Sequence, residues 1–206
     1  MSVTQSTIRV VASGDNFSSE PISVEQFVIR NECKNMVLTM VSYGASITSC
    51  LVGGSEKDSE ESLHEVALCY PLEKLINDPG PYFGATVGRV ANRTCCGKFE
   101  LDNSDGDSGS SSGSDKTPYT LAVNNGENHL HGGIVGLDKR NWDFELVDTP
   151  YEIGVKFTYD SPDGEEGIHR KSLQSVRLIH TLTYSHVLVE VLTISVYICN
   201  LFSYIL

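Results

Sequence analysis

The stretch NMVLTMVSYGASITSCLV, which spans residues 35–52, decides the fold class of this chain. It is rich in Val, Ile, Thr and Tyr, residue types that pack well on a pleated sheet, and Gly44 interrupts it near the middle. The preceding segment EQFVIRNE, residues 25–32, has the same character. Together the two segments predict two or three β-strands joined by a tight turn.

Further strand-like segments follow, separated by Asp, Pro and Gly turn residues. They are HEVALCY at 64–70, WDFELVDTP at 142–150, IGVKFTYDSPDGEEG at 153–167 and VRLIHTLTYSHVLVEVLTIS at 176–195. Glycines break PYFGATVGRVANRTCCGKFEL, at 81–101, into turns between short strands. Because no segment has the 3.6-residue period of a long helix, the sequence predicts an all-β chain folded as an antiparallel β-sandwich.

Two polar segments are expected to form loops. GGSEKDSEES, residues 53–62, has no apolar residue to bury and is expected to be solvated. DNSDGDSGSSSGSDKT, residues 102–117, has no large apolar side chain and cannot offset its ordering entropy by burial. We expect the second segment to be a mobile surface insert at the enlarged tip of a β-hairpin whose arms are KFEL and PYTL.

The composition limits the possible partners. With 206 residues, of which 40% are hydrophobic, the chain can form one sizeable core. Its 27 acidic and 15 basic residues give a net charge of -12, which repels phosphate backbones and anionic lipids. We therefore expect no nucleic-acid partner.

The six cysteines form no CxxC pair and have no histidine at the spacing of a zinc site. We interpret them as structural thiols, because free cysteine is usually buried. The first twenty residues are polar and lack the apolar core of a secretory signal. These features favour the reducing cytosol, where disulfides rarely persist.

Three blocks carry a more specific signal: YGASITSCLV at 43–52, PYFGATVGRVANR at 81–93 and NHLHGGIVGLDKRNW at 128–142. In this order, with SPDGEEG at 161–167, they resemble the aldose 1-epimerase (galactose mutarotase) family. The resemblance implies a large β-sandwich of galactose-mutarotase type that interconverts the α and β anomers of hexoses such as galactose and glucose. It also implies an aldose ligand, no metal or organic cofactor, and a monomer or weak dimer.

The resemblance also implies site residues. In the family an Asn-Arg pair and a His line the sugar pocket, which here makes Asn92, Arg93 and His131 substrate-binding residues and His131 a catalytic residue. Arg offers a fixed fork of donors to sugar oxygens, while Asn and His can each donate and accept. From the pattern alone, Arg93 would be interpreted as a surface charge and His131 as a turn histidine. Gly132 and Gly133 suit a backbone with positive φ or a close approach to a ligand.

The residues around these blocks are expected to have structural roles. Arg89, Asp138 and Lys139 are expected to fix loops or pair with charges, and His129 to lie at the surface. Trp142 opens a strand and is predicted to lie in the core rather than to stack on a sugar ring.

The remaining catalytic groups of the family have no counterpart in this sequence. The resemblance implies a second His in an NHSYFNL-like block, an Asp that binds hydroxyls and a Glu base near the C-terminus, and none is found. After Gly167, IHRKSLQS departs from the family pattern, as does the tail VYICNLFSYIL at 196–206. We therefore expect a truncated or mis-spliced chain, incomplete at the C-terminal end of the sandwich, that lacks the acid–base pair and is inactive or nearly so.

The expected organisation has three parts. Residues 1–21 are an N-terminal strand or leader, 22–195 a partial sandwich domain with the insert at 102–117, and 196–206 a divergent hydrophobic tail.

Three alternatives stay open. A hexose-6-phosphate 1-epimerase would need a further cationic cluster for its phosphate. A non-catalytic carbohydrate-binding module would keep only Arg93 and His131. The apolar run at 187–206 has the length of a membrane span, but Glu190 and Asn200 within it and the absence of flanking Lys or Arg argue against that interpretation.

Overall fold

The computed structural model describes residues 2–10, 21–31, 36–53, 63–77, 80–102, 116–150, 152–168, 172–181, 187–191 and 197–198. Most of the polar segments at 53–62 and 102–117 therefore lies outside the described residues, as does most of the tail at 196–206.

The N-terminal part forms a five-stranded antiparallel sheet in which strands adjacent in sequence are paired. Its strands are β1 (Ser2–Val10), β2 (Ile22–Asn31), β3 (Met36–Val41), β4 (Ser46–Val52) and β5 (His64–Glu65). Side chains two residues apart share a face, and Phe27 and Ile29 of β2 lie with Leu38 and Met40 of β3 in one buried cluster. The prediction of two or three strands between residues 22 and 52 is confirmed by β2, β3 and β4. HEVALCY contributes only the two residues of β5.

A second antiparallel sheet contains β11 (Asp143–Asp148), β12 (Glu152–Ser161), β13 (Ser172–Thr181) and β14 (Val187–Val191). Ile153, Val155 and Phe157 of β12 are buried at the two-residue spacing of a strand. The Phe157 ring meets the Phe27 ring of the first sheet edge to face, with 5.6 Å between centroids. The two sheets therefore share one core, and the predicted antiparallel sandwich is confirmed.

Short elements connect the two sheets. They are α1 (Leu72–Asn77), β6 (Thr86–Val87), β7 (Arg93–Thr94), β8 (Lys98–Asp102), β9 (Lys116–Thr120) and β10 (His129–Leu130), and β6 also pairs with β15 (Tyr197–Ile198). Strands β8 and β9 pair along their whole length, which confirms the two predicted hairpin arms. Strand β7 pairs with β10 and brings the second and third sequence blocks together.

Helix α1 is a short element that the sequence did not predict, and the β-class of the fold is unaffected by it. Its Leu72, Leu75 and Ile76 face one way and pack in a second buried cluster with Val24 and Tyr43. Six residues are too few for a helical period to be visible in the sequence.

No helix among the residues described above is long and apolar enough to cross a membrane. Within the apolar run at 187–206, Val187–Val191 is a strand of the second sheet.

Candidate functional site

Asn92, Arg93 and His131 lie together at one end of the β7–β10 ladder, where Arg93 is opposite Leu130. The backbone N–H of Asn92 donates to Nδ1 of His131 at 3.0 Å, and the N–H of His131 donates to the Asn92 carbonyl at 3.1 Å. The residues singled out in the sequence are thus neighbours in space.

The hydrogen bond from Asn92 fixes the tautomer of the His131 ring. Because a backbone N–H can only donate, Nδ1 must accept, and the neutral ring then carries its proton on Nε2. Burial lowers the pKa of His131, and the positive charges of Arg93 and Lys139 lower it further. At neutral pH the ring is therefore an uncharged imidazole whose donor is Nε2–H.

Arg93 is anchored at one nitrogen. Its Nε donates to Oδ1 of Asn125 at 3.0 Å, and Asn125 belongs to a turn closed by a bridge to Asn128. The residue is otherwise exposed, so the two terminal nitrogens of the guanidinium fork are the ones a ligand would meet. Asn92 is exposed too, with a φ of 64° in the left-handed region, where asparagine is well tolerated.

Tyr82, which no sequence pattern marks as functional, packs against His131. The two rings meet edge to face, with 4.9 Å between centroids. Lys139 Nζ lies 5.2 Å from the centre of the Tyr82 ring and is held by Asp138 at 2.6 Å. Burial raises the pKa of Asp138, and the ion pair with Lys139 opposes that effect. The prediction that Asp138 and Lys139 pair with charges is confirmed.

Two glycines shape the turn after His131. Gly132 and Gly133 have φ values of 95° and 97°, which L side chains rarely adopt. A Cβ on Gly132 would overlap the carbonyl oxygen of Gly88, and the same oxygen accepts the Leu137 N–H at 3.2 Å. The positive φ predicted for this pair is confirmed. The close approach at Gly132 is to backbone, so the predicted approach to a ligand stays a prediction.

Asn124 braces the same turn with its side-chain amide. Nδ2 donates to the carbonyls of Leu130 at 2.8 Å and Gly133 at 2.7 Å, while Oδ1 accepts the Leu130 N–H at 2.6 Å. These contacts span both sides of His131, so Asn124 is a positioning residue for it. The sequence signal for Asn124 is only its place in a loop, where asparagine often bonds to backbone.

The SPDGEEG segment clamps the loop beyond the glycines. The Glu166 carboxylate accepts the backbone N–H groups of Ile134 and Val135, both at 2.9 Å. Glu165 points elsewhere and pairs with Arg140 at 2.7 Å. Two adjacent carboxylates therefore hold different stretches of the third sequence block.

A narrow cleft lies between this clamp and the glycine turn. It is lined by Gly88, Arg89, Gly132, Val135, Gly136, Leu137, Glu165, Glu166 and Ile168. Arg89 donates to the carbonyls of Pro162 and Ile168 at 3.4 and 3.3 Å, which confirms its predicted role in fixing loops. The cleft adjoins His131 through Gly132 but is not lined by Asn92, Arg93 or His131.

The prediction that His129 lies at the surface is wrong. The side chain is fully buried, and its Nδ1 lies 2.7 Å from the Ala122 carbonyl, a hydrogen bond that offsets part of the free-energy cost of burying the ring. Its Nε2 is buried and has no hydrogen-bond partner among the described residues. Trp142 is buried as predicted and donates from Nε1 to the Leu137 carbonyl at 3.0 Å.

The interpretation of the cysteines as buried structural thiols holds for Cys50 and fails for Cys95 and Cys96, which are exposed. Both belong to a turn directly after β7, so their exposure follows from the local backbone. In the part of the chain that the structure describes, no group of three or more His, Cys, Asp or Glu side chains could hold a metal ion.

Comparison with known proteins identifies similar chains. The family model described as aldose 1-epimerase matches residues 25–197. The chain is 35% identical to galactose mutarotase of Sus scrofa, and the match covers 81% of this chain and 40% of the relative. It is 37% identical to galactose mutarotase of Bos taurus, and that match covers 70% of this chain and 36% of the relative. Aldose 1-epimerase of Escherichia coli is 30% identical over 68% of this chain and 34% of its own length.

Solved structures share the fold. Galactose 1-epimerase from Lactobacillus acidophilus superimposes with a TM-score of 0.62 at 21% identity, covering 86% of this chain and 45% of that one. An aldose epimerase homologue from C. elegans superimposes with a TM-score of 0.54 at 24% identity, covering 73% of this chain and 40% of that one. The chain spans about two fifths of the length of the curated relatives it matches.

Proposed function

This chain belongs to the aldose 1-epimerase family, and on that premise we propose that it binds an aldohexose such as galactose at Asn92, Arg93 and His131 and serves the interconversion of the sugar's two anomers. The observation that carries the proposal is the 3.0 Å hydrogen bond from the Asn92 N–H to His131 Nδ1. Because Nδ1 accepts this bond, the neutral ring has its proton on Nε2 and can donate it in a hydrogen bond to a ligand. We choose galactose as the representative sugar because the relatives that the chain resembles are named galactose mutarotases.

The proposed roles follow from how charge moves in mutarotation. A base takes the proton of the anomeric hydroxyl, the bond between C1 and the ring oxygen breaks, and rotation about C1–C2 followed by reclosure gives the other anomer. Negative charge develops on the ring oxygen as that bond breaks, and preorganised donors stabilise it. Arg93 and the Nε2–H of His131 are the donors proposed for this task, with Asn92 as a further substrate-binding residue.

His131 is proposed as a catalytic residue that donates a hydrogen bond rather than a proton. Its ring is neutral, and a neutral imidazole is a weak acid, so the proton transfers require other groups. The sequence predicts that this chain lacks the His and Glu that perform those transfers in the family.

A phosphorylated hexose is less favoured as the ligand. It would need cations beyond Arg93, which the proposed site uses for the sugar, and the described Lys139 is held by Asp138 while Arg140 is held by Glu165. The compartment proposed for the reaction is the cytosol, which keeps exposed thiols such as Cys95 and Cys96 reduced.

Sugar binding tests the proposed site. Galactose is titrated into the full chain and into Arg93→Ala and His131→Ala while its proton NMR signals are followed. Each substitution removes a hydrogen bond in the proposed site and is expected to weaken binding about 10- to 100-fold. Arg9→Ala and His64→Ala, at exposed positions of β1 and β5, are matched controls that should bind like the unmodified chain. Equal affinities for site and control variants would overturn the proposal.

Polarimetry on freshly dissolved α-galactose measures turnover separately. Loss of an acid–base partner typically costs ~10²–10⁴ in rate, so the 206-residue chain is expected to equilibrate the anomers little faster than buffer. A rapid rate abolished by His131→Ala would show that the chain supplies its own acid and base, and the expectation of an inactive half-site would be wrong.

A further inference from the structure

The turn that follows β7 presents two adjacent thiols on the same side of the backbone. Successive side chains of a strand point in opposite directions, but Cys96 has a φ of 54° in the left-handed region and reverses that alternation. As a result the Sγ atoms of Cys95 and Cys96 lie 3.7 Å apart, and both side chains are exposed.

The surrounding backbone holds the pair in this arrangement. The Cys96 N–H donates to Oδ1 of Asn128 at 3.1 Å, and the Lys98 N–H donates to the Cys95 carbonyl. Gly97 follows with a φ of 58° and is buried against the Leu121 carbonyl. The turn is therefore preorganised, and a ligand of both sulfurs would not have to order it.

The sulfur spacing distinguishes between two kinds of thiol chemistry. A tetrahedral cation with metal–sulfur bonds of about 2.3 Å separates its two sulfurs by about 3.8 Å. A disulfide instead needs sulfurs about 2.05 Å apart and Cα atoms usually about 4.4–6.8 Å apart, whereas neighbouring Cα atoms are about 3.8 Å apart. The observed 3.7 Å fits the cation without movement and would have to close substantially for a disulfide.

We propose that Cys95 and Cys96 form a two-thiolate site for a soft d¹⁰ cation of the Zn²⁺ and Cd²⁺ type. On binding, both S–H bonds break, two protons leave to solvent and two metal–sulfur bonds form, with no change of oxidation state. Water completes the coordination, because in the described parts of the chain no further His, Cys, Asp or Glu side chain forms a ligand group with the pair. The site is open and exchangeable, and it is independent of the sugar site proposed above.

Cadmium is the probe, because thiolate ligation gives Cd²⁺ an ultraviolet charge-transfer band. The full chain, reduced beforehand, is titrated with Cd²⁺ and is expected to bind one tight equivalent. Cys96→Ser removes the chelate and is expected to weaken binding about 100-fold or more. Cys69→Ser is the matched control, since Cys69 lies away from the pair and donates to the Thr48 carbonyl, and it should leave the affinity unchanged.

Protection from alkylation provides a measurement without variants. Cd²⁺ is added to the unmodified chain, exposed thiols are alkylated, and modified peptides are identified by mass spectrometry. Protection of both Cys95 and Cys96 is expected. Protection that maps to Cys33 or Cys199 instead, or a charge-transfer band retained in Cys96→Ser, would overturn the proposal.

Discussion

Replacing Gly132 by alanine tests whether the close approach of Gly132 to Gly88 holds the His131 turn in place. Two costs add at this position. Alanine at a φ of 95° is strained by about 1–2 kcal/mol. The new Cβ also overlaps the Gly88 carbonyl oxygen, which is fixed by its hydrogen bond from Leu137, and relieving such overpacking costs about 1–3 kcal/mol.

Gly132→Ala is therefore expected to lower the free energy of unfolding by about 2–5 kcal/mol. Gly126→Ala is the matched control: its φ is 60°, and no atom lies within 4 Å of the position its Cβ would take, so only the conformational cost remains. Both variants are compared with the unmodified chain by urea unfolding followed by circular dichroism. If the two variants lose the same stability, the Gly132–Gly88 contact contributes nothing and the reasoning is refuted.

Two further expectations concern the same turn. Asn124→Ala removes three hydrogen bonds and should lower the free energy of unfolding in urea by about 2–4 kcal/mol. The control Asn128→Ala removes one side-chain hydrogen bond and should lower it by about 1 kcal/mol. Equal losses of stability would argue against the bracing role of Asn124. Folding lowers the pKa of His131, so the unfolded chain binds the proton more readily than the folded chain. The stability that this residue contributes is therefore present above its ordinary pKa of about 6.5 and is lost as the pH falls below that value. An NMR titration that gives His131 an ordinary or raised pKa would contradict this expectation.

Local periodicity was sufficient to predict most of the sheet structure. In the core strands, apolar residues are buried at two-residue spacing over part of the strand, as for Phe27 and Ile29 of β2 and for Val155 and Phe157 of β12. This pattern is visible without tertiary information. Helix α1 could not be predicted in this way, because its apolar residues pack against strands distant in sequence. The shortness of β5 could not be predicted either, because only two of its residues pair with β4.

The sequence predicted that the candidate site residues lie together, but not the contacts that hold them. The order of the sequence blocks indicated Asn92, Arg93 and His131, and their proximity depends on the β7–β10 pairing. The roles of Asn124 and Tyr82 depend on tertiary contacts that leave no periodic trace in the sequence. His129 was misplaced for the same reason, since the Ala122 carbonyl that allows its burial lies in a different segment.

The reciprocal contact between Asn92 and His131 separates the backbone of residue 92 from its side chain. Both of its hydrogen bonds use main-chain atoms of residue 92, so the tautomer of His131 does not depend on the asparagine amide. Glycine or aspartate, which also tolerate a φ of 64°, would preserve the imidazole geometry, while proline would abolish it by removing the N–H. The side chain at position 92 can therefore be varied without altering the proton position on the histidine ring.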